Sequence, residues 1–166
     1  LIQNQYNEDA DYKFLLDVRK YADEKVGKLE FPEELLKRFM KEQNAEKGEE
    51  FVENNFAQSL EELKWHLIKE KLVAKAEIKI DDADVRAAAV KTARFQFAQY
   101  GMNNVPEEYL ENYAAELLKD RNQVKGFVER SINEKLAKAL KEVVTLEHKA
   151  VSVEDFQKLF QDETAE

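Results

Sequence analysis

The stretch Ile78-Lys79-Ile80-Asp81-Asp82-Ala83-Asp84-Val85 decides the fold of this chain, because it shows how the helices begin. Alternating apolar residues lead to Asp81, whose carboxylate suits the capping of free backbone amides, and a second acid follows at Asp84. Ile80 and Val85 are spaced as the two ends of a hydrophobic staple. The pattern therefore predicts a short extended link that runs into a helix over about Asp82–Tyr100.

Similar helix starts occur at three other places. The stretch Val151-Ser152-Val153-Glu154-Asp155-Phe156 repeats the pattern, with Ser152 as the cap. The other two starts are Phe31-Pro32-Glu33-Glu34 and Val105-Pro106-Glu107-Glu108, and they use the only 2 prolines of the chain. Proline fits a first helical turn because no N–H is needed there, and glutamate suits the positive end of the helix dipole.

The rest of the chain completes an all-α prediction. Of its 166 residues only 4 are Gly and 2 are Pro, while 37% are charged. So much charge on a modest apolar fraction favours an elongated helical body over a compact globe. We expect helices over about 7–26, from Pro32 towards Gly48, over 49–75, 82–100, from Pro106, over 121–144, and a short one after Ser152. The second and third helices should form a hairpin, because the link at Gly48 is short.

Composition excludes several classes of function. The net charge of -9 argues against nucleic acid as a partner, since phosphate binding needs a positive face. The lack of cysteine excludes disulfides, thiolate metal sites and thiol catalysis, and it fits a reducing compartment such as the cytoplasm. No apolar run approaches the length of a membrane span, so no membrane partner is expected. The chain opens at Leu1 without Met, and we interpret it as a piece of a longer protein.

No motif for catalysis, cofactor binding or metal binding stands out. His66 and His148 lack the Glu three residues earlier that di-iron bundles use. No Gly-rich phosphate loop is present, and no serine has the context of a nucleophile elbow. Carboxylate pairs such as Glu61-Glu62 are typical of solvated helix faces. We therefore predict no catalytic residue, cofactor or metal site, and a packing role for Trp65.

The aromatic and methionine residues are the best candidates for binding. Several of them cluster near the ends of helix hairpins, where not all can be buried, and exposed apolar surface rimmed by charge is typical of binding sites. Phe95 and Phe97 lie on opposite faces of one helix, and we expect Phe95 to pack inward and Phe97 outward. The candidate binding residues are Phe39, Met40, Phe51, Phe56, Phe97, Tyr100 and Met102.

In their order along the chain, these features resemble the C-terminal domain of trigger factor, the bacterial chaperone that meets nascent chains at the ribosome. A long first helix ends at Gly27-Lys28-Leu29-Glu30-Phe31-Pro32, similar to the start of that family's first arm. A long return helix passes through Leu67-Ile68-Lys69-Glu70-Lys71-Leu72-Val73 into the Ile78 link. The stretch Val143-Val144-Thr145-Leu146-Glu147-His148-Lys149-Ala150-Val151-Ser152 is similar to the closing segment of the family.

The resemblance covers essentially the whole chain and implies one helical chaperone domain, 1–166, with two protruding arms that form a cradle. Residues 1–31 would be a long body helix and link, 32–76 the first arm, 77–150 the second arm with further body helices, and 151–166 a short helix and tail. The resemblance further implies ATP-independent binding of unfolded or nascent polypeptides through dispersed apolar patches. The sequence leaves open whether this chain forms a homodimer.

Other activities of the family have no counterpart in these residues. Its ribosome-docking loop of Gly-Phe-Arg before a Pro is absent, as is its prolyl isomerase domain. We therefore expect no enzyme activity, and ribosome contact only through an N-terminal domain that is missing here. Two other classes stay open: the core of a periplasmic chaperone of the SurA type, and a helical adaptor for one folded partner that does not hold unfolded chains.

Overall fold

The fold is known from a computed structural model that describes residues 2–161. Within this range the chain forms seven α-helices and a short 3₁₀ turn at Ala45–Lys47, with no β-strand, which confirms the all-α prediction. The helices are α1 (Ile2–Val26), α2 (Glu33–Gln43), α3 (Glu49–Lys75), α4 (Asp82–Gln99), α5 (Glu107–Leu117), α6 (Arg121–Val143) and α7 (Val153–Gln161).

Most predicted boundaries are confirmed, and two helices differ. Helix α1 begins at Ile2, ahead of the predicted start near Asn7. Helix α2 ends at Gln43, and the polar residues after it form the 3₁₀ turn instead of further helix. The glycines at 27, 48 and 101 have positive φ and lie at ends of helical segments, as their conformational freedom suits them to do.

Helices α4 and α7 begin at the caps that the sequence predicts, which are Asp81 and Ser152. The backbone N–H of Asp84 donates to Asp81 Oδ1 over 3.0 Å, and the N–H of Asp81 donates to Asp84 Oδ2 over 2.9 Å, which is a complete capping box. At α7, the N–H of Asp155 donates to Ser152 Oγ over 3.1 Å. Pro32 and Pro106 each lie one residue before the first helical residue.

The chain divides into two compact units. The hairpin unit consists of Leu16–Lys75, and the split unit consists of the residues up to Leu15 together with those from Ala76 onward. The split unit therefore holds the N-terminal half of α1 and the helices α4 to α7.

The core of the split unit lies where α4 packs against both α5 and α6. The buried face of α4 is formed largely by alanine, which lets the neighbouring helices approach closely. Leu110 from α5 and Phe127 from α6 fill the space against it. The buried cluster comprises Ala88, Ala89, Val90, Ala93, Leu110, Ala114, Leu117 and Phe127.

Polar contacts join the start of α4 to α6 in the same unit. Lys135 Nζ donates to Asp84 Oδ2 over 2.6 Å and to the carbonyl of Lys79 over 2.9 Å. The buried hydroxyl of Ser131 lies 3.2 Å from the carbonyl oxygen of Asp84 and 2.9 Å from that of Phe127. Asp84 is thus both a cap for α4 and the partner of an α6 lysine.

The hairpin unit combines a small buried apolar core with ion pairs between its helices. Helices α2 and α3 form the predicted hairpin, in which Val52 and Phe56 of α3 are buried while α2 contributes no buried residue. Ion pairs join α2 to α3 at Lys37–Glu53 (3.3 Å) and Lys41–Glu49 (3.0 Å), and α1 to α3 at Arg19–Glu62 (2.9 Å) and Lys64–Asp23. Exposed pairs of this kind stabilise a fold only slightly.

The capping acid Asp84 makes the stability of the split unit depend on pH. The hydrogen bond from Lys135, followed by that from the Asp81 backbone, holds the pKa of Asp84 below its usual range. An acid with a lowered folded pKa adds stability that is complete above the unfolded value of about 3.9 and is lost as pH falls through the folded value.

We therefore predict that Asp84→Asn lowers the melting temperature at pH 7, and that the difference from wild type shrinks as pH falls below about 4. Thermal melting followed by circular dichroism from pH 7 to pH 2.5 measures both effects. Asp82→Asn is the control, because Asp82 lies exposed in the same first turn and the sequence change is identical. An equal loss in both variants at all pH values would contradict the role of Asp84.

Candidate binding surfaces

The turn between α4 and α5 carries the largest group of exposed apolar side chains predicted from the sequence. Helix α4 ends in a Schellman motif, in which the N–H of Gly101 donates to the Ala98 carbonyl (2.9 Å) and the N–H of Met102 to the Phe97 carbonyl (3.0 Å). Gly101 has a φ of 78°, which an L-residue with a side chain adopts only under strain. The motif therefore places Met102 beside Phe97 by local backbone geometry alone.

This turn lines an open groove of about 600 Å³. Its lining comprises Phe97, Gly101, Met102, Asn103, Asn104, Val105, Pro106 and Tyr109. Tyr109 is 64% exposed and Met102 48% exposed, and Tyr100, next to the groove in sequence, is 81% exposed. We call Phe97, Tyr100, Met102 and Tyr109 the corner surface.

The structure corrects the predicted orientation of the two phenylalanines of α4. Phe95 was expected to pack inward, but it is 52% exposed. Phe97 is the half-buried one: it packs against the core cluster, and its ring lies edge-on to that of Tyr113 with 5.3 Å between centroids. The reason is the register of α4, because Ala89 and Ala93 of the core precede Phe97 at helical spacing on the same face. Phe97 thus forms the base of the corner surface.

A second apolar surface lies on α2 in the hairpin unit. Leu35 is 62% exposed and Phe39 is 57% exposed, and their spacing places them on one face of the helix. Met40 is half-buried. Charged residues border this face, among them Arg38 and Glu42, which form an exposed ion pair (3.6 Å) one helical turn apart. We call Leu35 and Phe39 the α2 ridge.

Two further binding residues predicted from the sequence, Phe51 and Phe56, lie on α3. Phe51 is half-buried, with the Lys47 ammonium 4.5 Å from its ring centroid. Phe56 is buried, with Lys37 Nζ 5.0 Å from its ring centroid. Because a buried ring offers no surface to a ligand, Phe56 is removed from the set of binding candidates and assigned to the core of the hairpin unit.

Sequence reasoning missed Leu35 and Tyr109. Neither residue is among the binding candidates predicted from the sequence, although both lie exposed. The available signal was helical register: Tyr109 precedes the buried stripe Leu110, Ala114 and Leu117 by one position, which rotates it towards solvent.

The described residues offer no other obvious chemistry. Within residues 2–161, no group of three or more His, Cys, Asp or Glu side chains is arranged to hold a metal ion. In the same range, none of the helices is both long enough and apolar enough to span a membrane.

The described residues form an all-α protein that presents apolar side chains on helices and turns. Exposed apolar surface of this kind is a feature of proteins that bind other polypeptides. Residues 10–160 match the family described as "Probable trigger factor, C-terminal domain", and the chain belongs to this family. The resemblance seen in the sequence is thereby confirmed. No curated protein and no solved structure is significantly similar to the chain.

The corrected orientation of α4 yields a stability prediction. Phe97→Ser should lower the free energy of unfolding by about 2 kcal/mol, because it removes a ring packed against the core and Tyr113. Phe95→Ser is the matched control and should change it by at most about 0.5 kcal/mol. Urea denaturation followed by circular dichroism measures both. A larger loss for Phe95→Ser than for Phe97→Ser would reverse the assignment.

Proposed function

We propose that this chain is an ATP-independent chaperone domain that binds unfolded or nascent polypeptides through dispersed apolar surfaces. One observation carries the proposal: both units display exposed apolar side chains, at the α2 ridge and at the corner surface. Membership of the trigger factor C-terminal family supports it. The cytoplasm is the proposed compartment.

The chemistry of the two surfaces suits varied clients. Leu35 and Phe39 offer aliphatic and aromatic area without any directional polar group. Met102 has a flexible thioether that adapts to partners of different shape, and Tyr100 and Tyr109 join apolar area to a polar tip. Such surfaces bind clients that are rich in apolar residues and do not select a particular sequence.

Weak affinity is expected from this design. Each surface is small, and a flexible client loses conformational entropy at every segment that becomes ordered. Dissociation constants of about micromolar order are expected. The net charge of -9 leaves nucleic acid outside the proposed set of partners.

The proposal predicts that the chain, in several-fold excess and without ATP, slows the aggregation of several unrelated denatured proteins measured by light scattering. The combined change Leu35→Ser, Phe39→Ser, Tyr100→Ser and Met102→Ser should weaken this suppression with little change in melting temperature, because all four side chains are exposed.

The matched control replaces four exposed polar residues by serine: Glu34, Arg38, Asn103 and Asn104, which are neighbours of the changed residues. This control should suppress aggregation as well as the wild type does. If the wild-type chain suppresses none of the test proteins, the chaperone assignment is wrong and an adaptor for one folded partner becomes the better explanation.

A further inference from the structure

Within the split unit, helix α7 packs on α1 through aromatic rings. The ring of Phe156 lies edge-on to that of Tyr6 with 6.0 Å between centroids, and the ring of Phe160 is stacked on that of Tyr12 at 6.4 Å. Phe156 and Phe160 also contact each other at 5.3 Å. Each pair of this kind contributes about 0.5–1.5 kcal/mol beyond the area it buries.

Several further features set α7 apart from the core helices of the unit. None of its described side chains is buried: Phe156 and Phe160 are half-buried, and the others are exposed. Residues 144–152 before it form no helix. Its own start is fixed locally, since Ser152 caps it and Lys158 Nζ lies 3.2 Å from Asp155. Helix α7 thus carries its own capping contacts, while its attachment depends on the rings.

The α1 surface under α7 continues into a second groove of the split unit. Tyr12 stacks on Phe160 and also lines a groove of about 980 Å³, together with Leu15 and the exposed Phe95. Most of the residues that line this groove are charged, including Lys91, which pairs with Glu134 (2.9 Å) and Glu8 (3.4 Å). Tyr12 is 55% exposed with α7 in place, and Tyr6 is half-buried beside Phe156, so release of α7 would extend the exposed aromatic strip from Tyr12 back to Tyr6.

We propose that this strip of α1 is a further client-binding site, which α7 occupies as an internal ligand when no client is bound. The occupant seen in the structure indicates the partner that fits: a polypeptide segment with aromatic residues four positions apart, as in Phe156 and Phe160. At that spacing both rings project from one face of a short helix and reach both tyrosines. A tethered competitor reduces the apparent affinity for clients by the fraction of time that the site is free. This inference rests on the proposed function.

The test uses the full chain and a fluorescent synthetic peptide with the sequence of residues 151–161, followed by anisotropy. The double change Phe156→Ala with Phe160→Ala removes the internal competitor, so it should bind the peptide about tenfold more tightly than wild type does. Val153→Ala with Gln157→Ala is the matched control on the same helix, and it should bind as the wild type does. Adding Tyr6→Ala and Tyr12→Ala to the first variant should abolish binding.

A second peptide, in which the residues at 157 and 160 are exchanged, keeps the composition but places the two phenylalanines side by side. It should bind the Phe156→Ala, Phe160→Ala variant several-fold more weakly, because adjacent rings leave the common face. Equal affinity of the first peptide for wild type and that variant overturns the proposal, as does a steep fall in the variant's melting temperature, which would make α7 a structural element. Aggregation suppression by the wild-type chain is judged separately, so a failed competition leaves the proposed function standing.

Discussion

The close packing of α4 against α5 and α6 through alanine is the constraint on which the split unit depends. Ala88, Ala89 and Ala93 leave no room for large side chains between these helices, and Leu110 and Phe127 fill the remaining space. Phe97 of α4 packs against the edge of this cluster and forms the base of the corner surface. Phe95, Tyr100 and Tyr109 lie outside the cluster and are exposed.

The two units are stabilised by different kinds of interaction. The split unit has a contiguous apolar cluster, and its polar contacts at Ser131 and Lys135 converge on one residue, Asp84. The hairpin unit buries Val52 and Phe56, and its helices are also joined by ion pairs, which water and salt weaken. Helix α2 remains free to present Leu35 and Phe39 because little of it is needed for packing.

Much of the fold was predictable because its decisive signals are local. Asp81 and Ser152 cap helices through contacts within three residues, and Gly101 ends one through its own backbone, so the sequence indicates these boundaries directly. The binding surfaces were harder to predict. Phe95 and Phe97 can be placed on opposite faces from sequence, but the choice between them depends on where α5 and α6 pack. The burial of Phe56 is likewise a tertiary fact, since it depends on the approach of α2.

The arrangement of the core also bears on how quickly this protein folds. Helices α4, α5 and α6 follow one another directly in the chain and supply the whole buried cluster, which lies within residues 88–127. Folding rates rise as contacts become more local, because less loop entropy is lost before the first stabilising contacts form. Local contacts of this kind would suit the proposed chaperone function, because the protein's own apolar residues would spend little time exposed to unfolded clients during folding.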